Sequence, residues 1–322
     1  MPGAPTPGSA ASARVGHCDP LQKLSKHRRY SSPIARLLLA DEHWRNTGRN
    51  IANCALRLGI ELELPESEQP ITRMRSARLC HARLCPFCEW RRTIAWRKRL
   101  MRGLTAYGRE NQSHRGLFLT LTVRNVPLER LGEQLDEMNR AWSRMTKLPF
   151  FPSTAWFRRT EVTLKRAAKG WEAHPHFHAL ILVRPSYFTR DYVKQTEWQK
   201  QWMMAARLDY SPVVDVRSTK KRDPEKDGET PAPMSAVMEA AKYATKATDL
   251  LAMGPAVVDF HEQMRGKRLY SLSRELSRFV KSGELEEGEL MDTEYVTCPD
   301  GGLGLRLVAE WNEASQKYEF AI

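Results

Sequence analysis

The segment Trp171-Glu-Ala-His174-Pro-His176-Phe-His178-Ala-Leu-Ile-Leu-Val183 sets three histidines at alternate positions. In a β-strand the side chains repeat every second residue, so all three imidazoles project from one face. Burying three of them in a core strand without partners would be costly, so the pattern asks for a ligand or a reaction. Two chemistries fit. In the first, His176 and His178 bind Mg²⁺ or Mn²⁺ with a carboxylate from a neighbouring strand, and the ion polarises a scissile phosphate as a Lewis acid. Glu161, in Arg-Thr-Glu161-Val-Thr-Leu on the preceding strand, is the natural candidate. In the second, the chain is a histidine-triad nucleotide hydrolase and one imidazole is the nucleophile. The string HPHFHAL satisfies both readings.

Cysteine forms the next group. Cys80-His-Ala-Arg-Leu-Cys85-Pro-Phe-Cys88 is a C-x4-C-x2-C array, with Cys54 upstream. Tetrahedral Zn²⁺ takes four thiolate or imidazole ligands, and a CPxC knuckle supplies two of them from one tight turn. Cys54, Cys80, Cys85 and Cys88 complete a closed structural site, with His81 as the substitute for Cys54. A site of four thiolates keeps no open position, so it is assigned no catalysis. Six cysteines in a chain without an export signal point to metal rather than disulfides.

A third constellation is Met238-Glu239-Ala-Ala-Lys242-Tyr243-Ala-Thr-Lys246-Ala-Thr-Asp-Leu250. On a helix, Glu239, Tyr243, Lys246 and Leu250 fall on one side. Alanines at 240, 241, 244 and 247 leave the remainder slim enough to approach a sheet. A tyrosine is a sensible covalent nucleophile toward DNA, because its phosphodiester preserves the bond energy for rejoining. Lys246 can support the phenolate or the phosphate, and a carboxylate one turn before the tyrosine can activate water. A plain amphipathic helix has the same spacing.

The elements that must position these groups are readable in outline. Gly116–Val123 alternates Leu and Thr and reads as a strand with one wet face. Apolar residues at 128, 131, 135, 138, 142 and 145 form a helical stripe. Trp156–Leu164 and His176–Val183 read as strands joined by the turn Ala168-Lys169-Gly170, followed by a helix at 190–206 and a strand at 213–217. Residues 220–233 read as an exposed loop and 234–251 as one helix. The order β-α-β-β-α-β-α gives an α+β fold, an antiparallel-rich sheet with helices on one face, preceded by a zinc-binding module. The expected organisation is a mobile arm over 1–47, with a short helix near Ile34–Trp44, and a zinc-binding, basic module over 48–108. A catalytic domain over 109–255 and a C-terminal region over 256–322 with an acidic tail complete it.

Hydrophobic residues at 41% and charged residues at 28% exclude wholesale disorder and a fibrous repeat. No apolar run approaches the ~20 residues of a membrane span. The first residues lack a basic start and an apolar stretch, so a soluble, cytoplasmic protein is expected. The net charge of +13 is uneven: ten acidic against three basic residues after position 280 leave about +20 on residues 1–280. A field of that sign favours phosphate backbones. From Arg73 to Arg102 there are nine Arg, one Lys and one Glu, interleaved with Trp90 and Trp96. Arg91, Arg92, Arg97, Lys98 and Trp90 are the expected DNA contacts, cations on phosphates and the indole on an unpaired base.

The zinc array with CPFCEWRR, the basic segment, FLTLTVRN, HPHFHALI and EAAKYATK stand in an order that resembles the rolling-circle replication initiators of small bacterial plasmids. Those are members of the HUH single-strand endonuclease superfamily, in its single-tyrosine group, and the resemblance spans about Asn53–Leu251. It implies that His176 and His178 hold a divalent ion and that Tyr243 attacks the origin strand. The products would be a 5′-phosphotyrosyl link and a free 3′-hydroxyl. Glu239 matches the glutamate that activates water to end a round, and Lys246 the lysine after the tyrosine. DNA, a host helicase and a polymerase are the implied partners, with no membrane. An HUH transposase is the nearer alternative, yet such enzymes commonly carry two tyrosines on this helix. A histidine-triad hydrolase explains neither the cysteines nor the charge.

Overall fold

The structure, a computed structural model, describes residues 20–63, 71–219, 232, 234–241, 245–281 and 304–321. Two antiparallel sheets organise it. The smaller belongs to the cysteine module and the larger carries the histidines.

The module opens with α1 (Pro20–Arg28), α2 (Ser31–Leu39) and α3 (Arg45–Ala52). Strands β1 (Arg57–Glu63) and β2 (Ile71–Ala77) follow, then the long α4 (Pro86–Glu110), whose first residue is the proline of the knuckle. Proline suits that position because its missing N–H is one the first helical turn leaves unpaired anyway. The expected arm over 1–47 is therefore built structure from Pro20 onward. Leu21, Leu24, Ile34, Ala35 and Leu38 are buried in one core with Cys54, Cys85 and Cys88. Their spacing is helical, and most of the basic residues between them face outward, but Arg28 is buried and donates to the Ala52 carbonyl at 2.8 Å. Residues 1–19 lie outside the described part.

The module's sheet is closed by the far end of the chain. Strands β9 (Gly304–Asn312) and β10 (Lys317–Phe320) add to it in the order β10-β9-β1-β2. Arg57 pairs with Glu310 and Glu63 with Gly304. Tyr318 donates its hydroxyl to the Ala55 carbonyl at 2.6 Å, inside the module core. The end of the region expected as an acidic tail is thus part of the cysteine module's sheet; residues 282–303 lie outside the described part.

The larger sheet comprises β3 (Arg115–Thr122), β4 (Val126–Pro127), β5 (Ala155–Ala167), β6 (Gly170–Val183), β7 (Val214–Ser218) and β8 (Tyr270–Leu272). Its order is β7-β3-β6-β5-β8, with β4 on the end of β6. Gly170 turns the β5–β6 hairpin at φ +126°, a conformation that favours glycine. The expected α+β, antiparallel architecture is what the chain adopts. Helices, however, cover both faces rather than one.

On the first face lie α5 (Leu131–Met145) and α6 (Gln195–Ala205), packed on Leu117, Leu119, Leu121, Phe177, Ala179 and Ile181. On the other lie α4, α7 (Met234–Ala240) and α10 (Arg274–Lys281), over Phe157, Leu180 and Leu182. Gly103 lets α4 approach α10, since a Cβ there would strike the Val280 side chain. This second face is the one the histidines share. Its apolar half, with Phe157, Leu180 and Leu182, packs against these helices, while His176, His178 and Glu161 are each partly exposed.

Helices α8 (Ala247–Ala252) and α9 (Val257–Met264) pack into the module core through Leu250, Met253, Val257 and Phe260. The single helix expected over 234–251 is therefore two. Lys246 has extended backbone at φ −73°, ψ 141° and caps α8. Thr245 donates its hydroxyl to the Val162 carbonyl of β5 at 3.4 Å. A threonine hydroxyl offers the chain an alternative to the helical ladder, and the two halves are buried in different cores.

Candidate metal centre

Register puts the histidine site together. On β6, His176 and His178 share the face of Leu180 and Leu182; on β5 the residues directly opposite are Glu161 and Arg159. On β3, Thr122 and Thr120 stand opposite the same two histidines. Glu161 Oε2 lies 3.1 Å from His178 Nε2 and 3.6 Å from His176 Nε2. The imidazole planes are nearly perpendicular, with ring centroids 4.9 Å apart. One carboxylate oxygen and two imidazole nitrogens thus converge on a point that a single cation can occupy.

The far nitrogens are held. His176 Nδ1 is 3.2 Å from the His174 carbonyl, so it carries the proton and donates it there. His178 Nδ1 is 3.1 Å from Thr120 Oγ1. Each contact holds its ring so that Nε2 faces Glu161, where a protonated Nε2 donates to the carboxylate and a deprotonated one offers its lone pair to a cation. Burial by itself would raise the Glu161 carboxyl. Hydrogen bonds from His176 and His178 outweigh it and hold the group below the ordinary carboxylate range. His174, on the same strand face, contributes its backbone rather than its ring to the centre.

Two residues at this centre escaped the sequence reading. Thr120 belongs to a strand recognised as wet-faced, but its pairing with His178 needs the register. Arg159 is 1% exposed, opposite both His178 and Tyr270, with its guanidinium carbon 5.3 Å from the Tyr270 ring centroid. Burial lowers its affinity for a proton, while Tyr270, Glu89 and Glu161 favour the cation. Two successive arginines in a strand must face opposite ways, which was the available signal.

The four cysteines also meet. Cys54 Sγ is 3.4 Å and Cys80 Sγ 3.6 Å from Cys88 Sγ, and the backbone N–H of Cys80 donates to Cys54 Sγ at 3.4 Å. A tetrahedral Zn²⁺ with bonds of about 2.3 Å spaces its sulfurs by about 3.8 Å. Hydrogen bonds from Cys54, Cys80 and Cys88 hold Cys85 low, as the favoured thiolate, and the same shared hydrogen bonds push Cys54 up. Four thiols in one buried cluster cannot all ionise without a cation, so the donor set fits a divalent ion of thiophilic character. Ser31 of α2 lies 3.8 Å from Cys85 Sγ, which ties the first helices to the cluster. His81 is not among the four.

Cys85→Ser is expected to release zinc and unfold the module. Apparent structural-zinc binding of about 10–16 kcal/mol rivals the ~5–15 kcal/mol stability of a whole domain. Elemental analysis and a thermal melt of the variant check this; a full zinc complement would reject it.

The expected DNA contacts are placed unevenly. Arg91 is 1% exposed and turned inward, so the expectation of a phosphate contact there is corrected: the inner stripe of α4 runs through it. Arg92 pairs with Glu89 and donates to the His81 carbonyl, closing the knuckle. Trp90 stacks on His27 with ring centroids 4.5 Å apart and 9° between planes, so one indole face is already covered. Arg97 and Lys98 are partly exposed on α4.

Glu239 sits at the end of α7, and Lys246 at the start of α8. Tyr243 lies outside the described residues, between Ala241 and Thr245. The expectation that one continuous helix aligns Glu239, Tyr243 and Lys246 is thus corrected, since the helical run ends before Thr245.

A family of replication proteins matches residues 71–319 of the chain. The "Protein rep" of Lentilactobacillus hilgardii is 30% identical over 281 residues, 83% of this chain and 87% of that protein. Another "Protein rep", from Bacillus amyloliquefaciens, is 30% identical over 290 residues, 83% of each chain. A "Replication protein" of Staphylococcus aureus is 32% identical over 217 residues, 63% of this chain and 89% of that one. The chain belongs to this replication-protein family, the initiators its motif order resembles. No solved structure matches it. Among the described residues no helix is long and apolar enough to cross a membrane.

Proposed function

We propose that the chain is a plasmid rolling-circle initiator that nicks one DNA strand at its origin through Tyr243. The observation that carries this reading is the convergence of Glu161, His176 and His178 on one point of the sheet. A carboxylate oxygen and two imidazole nitrogens suit Mn²⁺ or Mg²⁺. When bound there, such an ion supplies Lewis-acid polarisation of the scissile phosphate.

The chain's own groups do the rest. The Tyr243 hydroxyl gives up its proton and its oxygen bonds to phosphorus. The bond from phosphorus to the 3′-oxygen breaks, and that oxygen takes up a proton as the free 3′-hydroxyl. The 5′-phosphate remains on the tyrosine. Thr245, two residues after Tyr243 in sequence, donates its hydroxyl to the carbonyl of Val162, the residue after Glu161, and this supports the reading. Lys246 offers a cation to the phosphate, and Glu239 takes a proton from water in the hydrolysis that ends the round. Zinc at Cys54, Cys80, Cys85 and Cys88 holds the module together, and the basic surface of α4 holds DNA.

The test is incubation of the native chain with a single-stranded oligonucleotide carrying its origin, with and without Mn²⁺. A protein–DNA adduct on a denaturing gel, dependent on the ion, is the expected product. Cleavage leaving no covalent adduct would instead favour water as the nucleophile.

A further inference from the structure

A cleft of ≈ 360 Å³ lies where the end of α1, the cysteine knuckle and the start of α8 meet. Its floor is apolar, built by Leu84, Leu250, Phe260 and Leu269. Lys26 of α1, Arg83 of the turn before α4 and Lys246 at the start of α8 also line it, with Arg83 donating to the Met264 carbonyl at 3.1 Å. Among the described residues that line it, Glu89 is the one carboxylate, and it is paired with Arg92. His27 lines the cleft too, and burial followed by the Lys26 charge lowers it to about 4, so it stands as a neutral aromatic wall.

A cleft of this size falls in the range of small-ligand sites, with apolar walls and a few polar groups to orient the guest. Three cations around an apolar floor ask for a guest that is flat and apolar in the middle and anionic at its edges. An acyl chain does not use three cations, and a double helix cannot enter. An unstacked nucleotide fits both demands: aromatic or apolar surfaces take bases without regard to sequence, while cations track the phosphates. Position agrees. Lys246 belongs to the cleft and to the segment after Tyr243, and its neighbour Thr245 is bonded to β5 one residue beyond Glu161.

We infer that this cleft receives one unstacked base of the single strand beside the cleaved phosphodiester, with the flanking phosphates on Lys26, Arg83 and Lys246. The inference rests on the nicking reading above. It also gives α1 a task, since Lys26 and His27 of α1 and Tyr30 just after it line the site.

The experiment uses the full zinc-loaded chain without added manganese, so that binding is read apart from cleavage. Fluorescence anisotropy compares oligodeoxythymidylate with the same backbone made abasic. Ala247→Trp fills the cleft from α8 and should weaken binding of the thymidylate strand about tenfold, the scale of one lost base stack, while sparing the abasic strand. Lys26→Ser, at an exposed position of α1, should weaken both strands and reduce the salt slope by about one phosphate's worth. Native affinity in both variants would overturn the inference. So would an apolar dye bound in the cleft that thymidylate fails to displace, which would assign the cleft to an apolar partner. If native protein shows this binding pattern yet forms no adduct with manganese, the nicking reading fails and the cleft stands. If the adduct forms and both variants bind as native, the cleft assignment alone fails.

Discussion

Glu161→Gln is expected to reduce manganese-dependent nicking by more than about a hundredfold, with zinc content and DNA affinity kept at native values. Losing a group that merely orients a metal ligand costs about 10–100-fold, so losing an anionic ligand itself should cost more. Glu161 is the shared member of the centre, since one of its oxygens approaches both imidazoles. It is also the centre's anion. Two neutral imidazoles alone are a poor site for a hard cation that prefers oxygen. Glutamine keeps the shape of the side chain, so the half-buried position should still pack. Titration calorimetry with Mn²⁺ and single-turnover nicking read the two effects separately. Native manganese affinity in the variant would move the ion away from β5 and β6. A lower melting temperature with unchanged manganese binding would make Glu161 a structural partner of the histidines.

The centre was legible because it is built from the shortest-range rules of a sheet. Alternation set His176 and His178 on one face, and a tight hairpin with Gly170 at its turn fixed which strand lay alongside. Glu161 then followed from being opposite. The cysteine quartet was legible for a similar reason, because two of its members sit on one tight turn, a third lies five residues before them and Cys54 is the next cysteine upstream. Thr120 and Arg159 required register, which spacing within one strand does not carry. Arg91 shows the converse: a run of arginines read as one solvated face, whereas helical period turns every third or fourth residue inward.

Longer-range pairing accounts for the larger surprises. Arg57 meets Glu310 across the module sheet, and nothing in either segment announces the other. Composition also misled at the first helices, where the basic residues at 26–29 dominate a pattern whose apolar positions are few but regularly spaced. The break between α7 and α8 has a different cause. An alanine-rich run favours helix everywhere, but Val237 and Ala240 belong to one core and Leu250 and Met253 to another. Burial in two cores outweighs a propensity worth tenths of a kcal/mol per residue.

That break bears on the second large effect, the separation of initiation from termination. Tyr243→Phe should abolish the covalent adduct, because it removes the attacking oxygen and preserves the ring. Glu239→Gln should still form the adduct, since attack by the phenol does not call on that carboxylate. It should then fail in hydrolytic release by ~10²–10⁴-fold, the usual worth of general-base help. Glu239 stands on the last turn of α7 and Lys246 at the first of α8, with Tyr243 between them in sequence. A structural role for Glu239, pairing with a lysine on the helix surface, would be worth only about 0.2–0.5 kcal/mol and would leave release unchanged. Single-turnover kinetics on a pre-nicked suicide oligonucleotide distinguish these roles, with adduct formation and adduct decay as separate phases. Unchanged decay in Glu239→Gln would assign the base to another group, and an adduct persisting in Tyr243→Phe would assign the nucleophile to another side chain. Loss of both phases in Glu239→Gln, with folding intact, would mean that the carboxylate positions the tyrosine segment rather than the water.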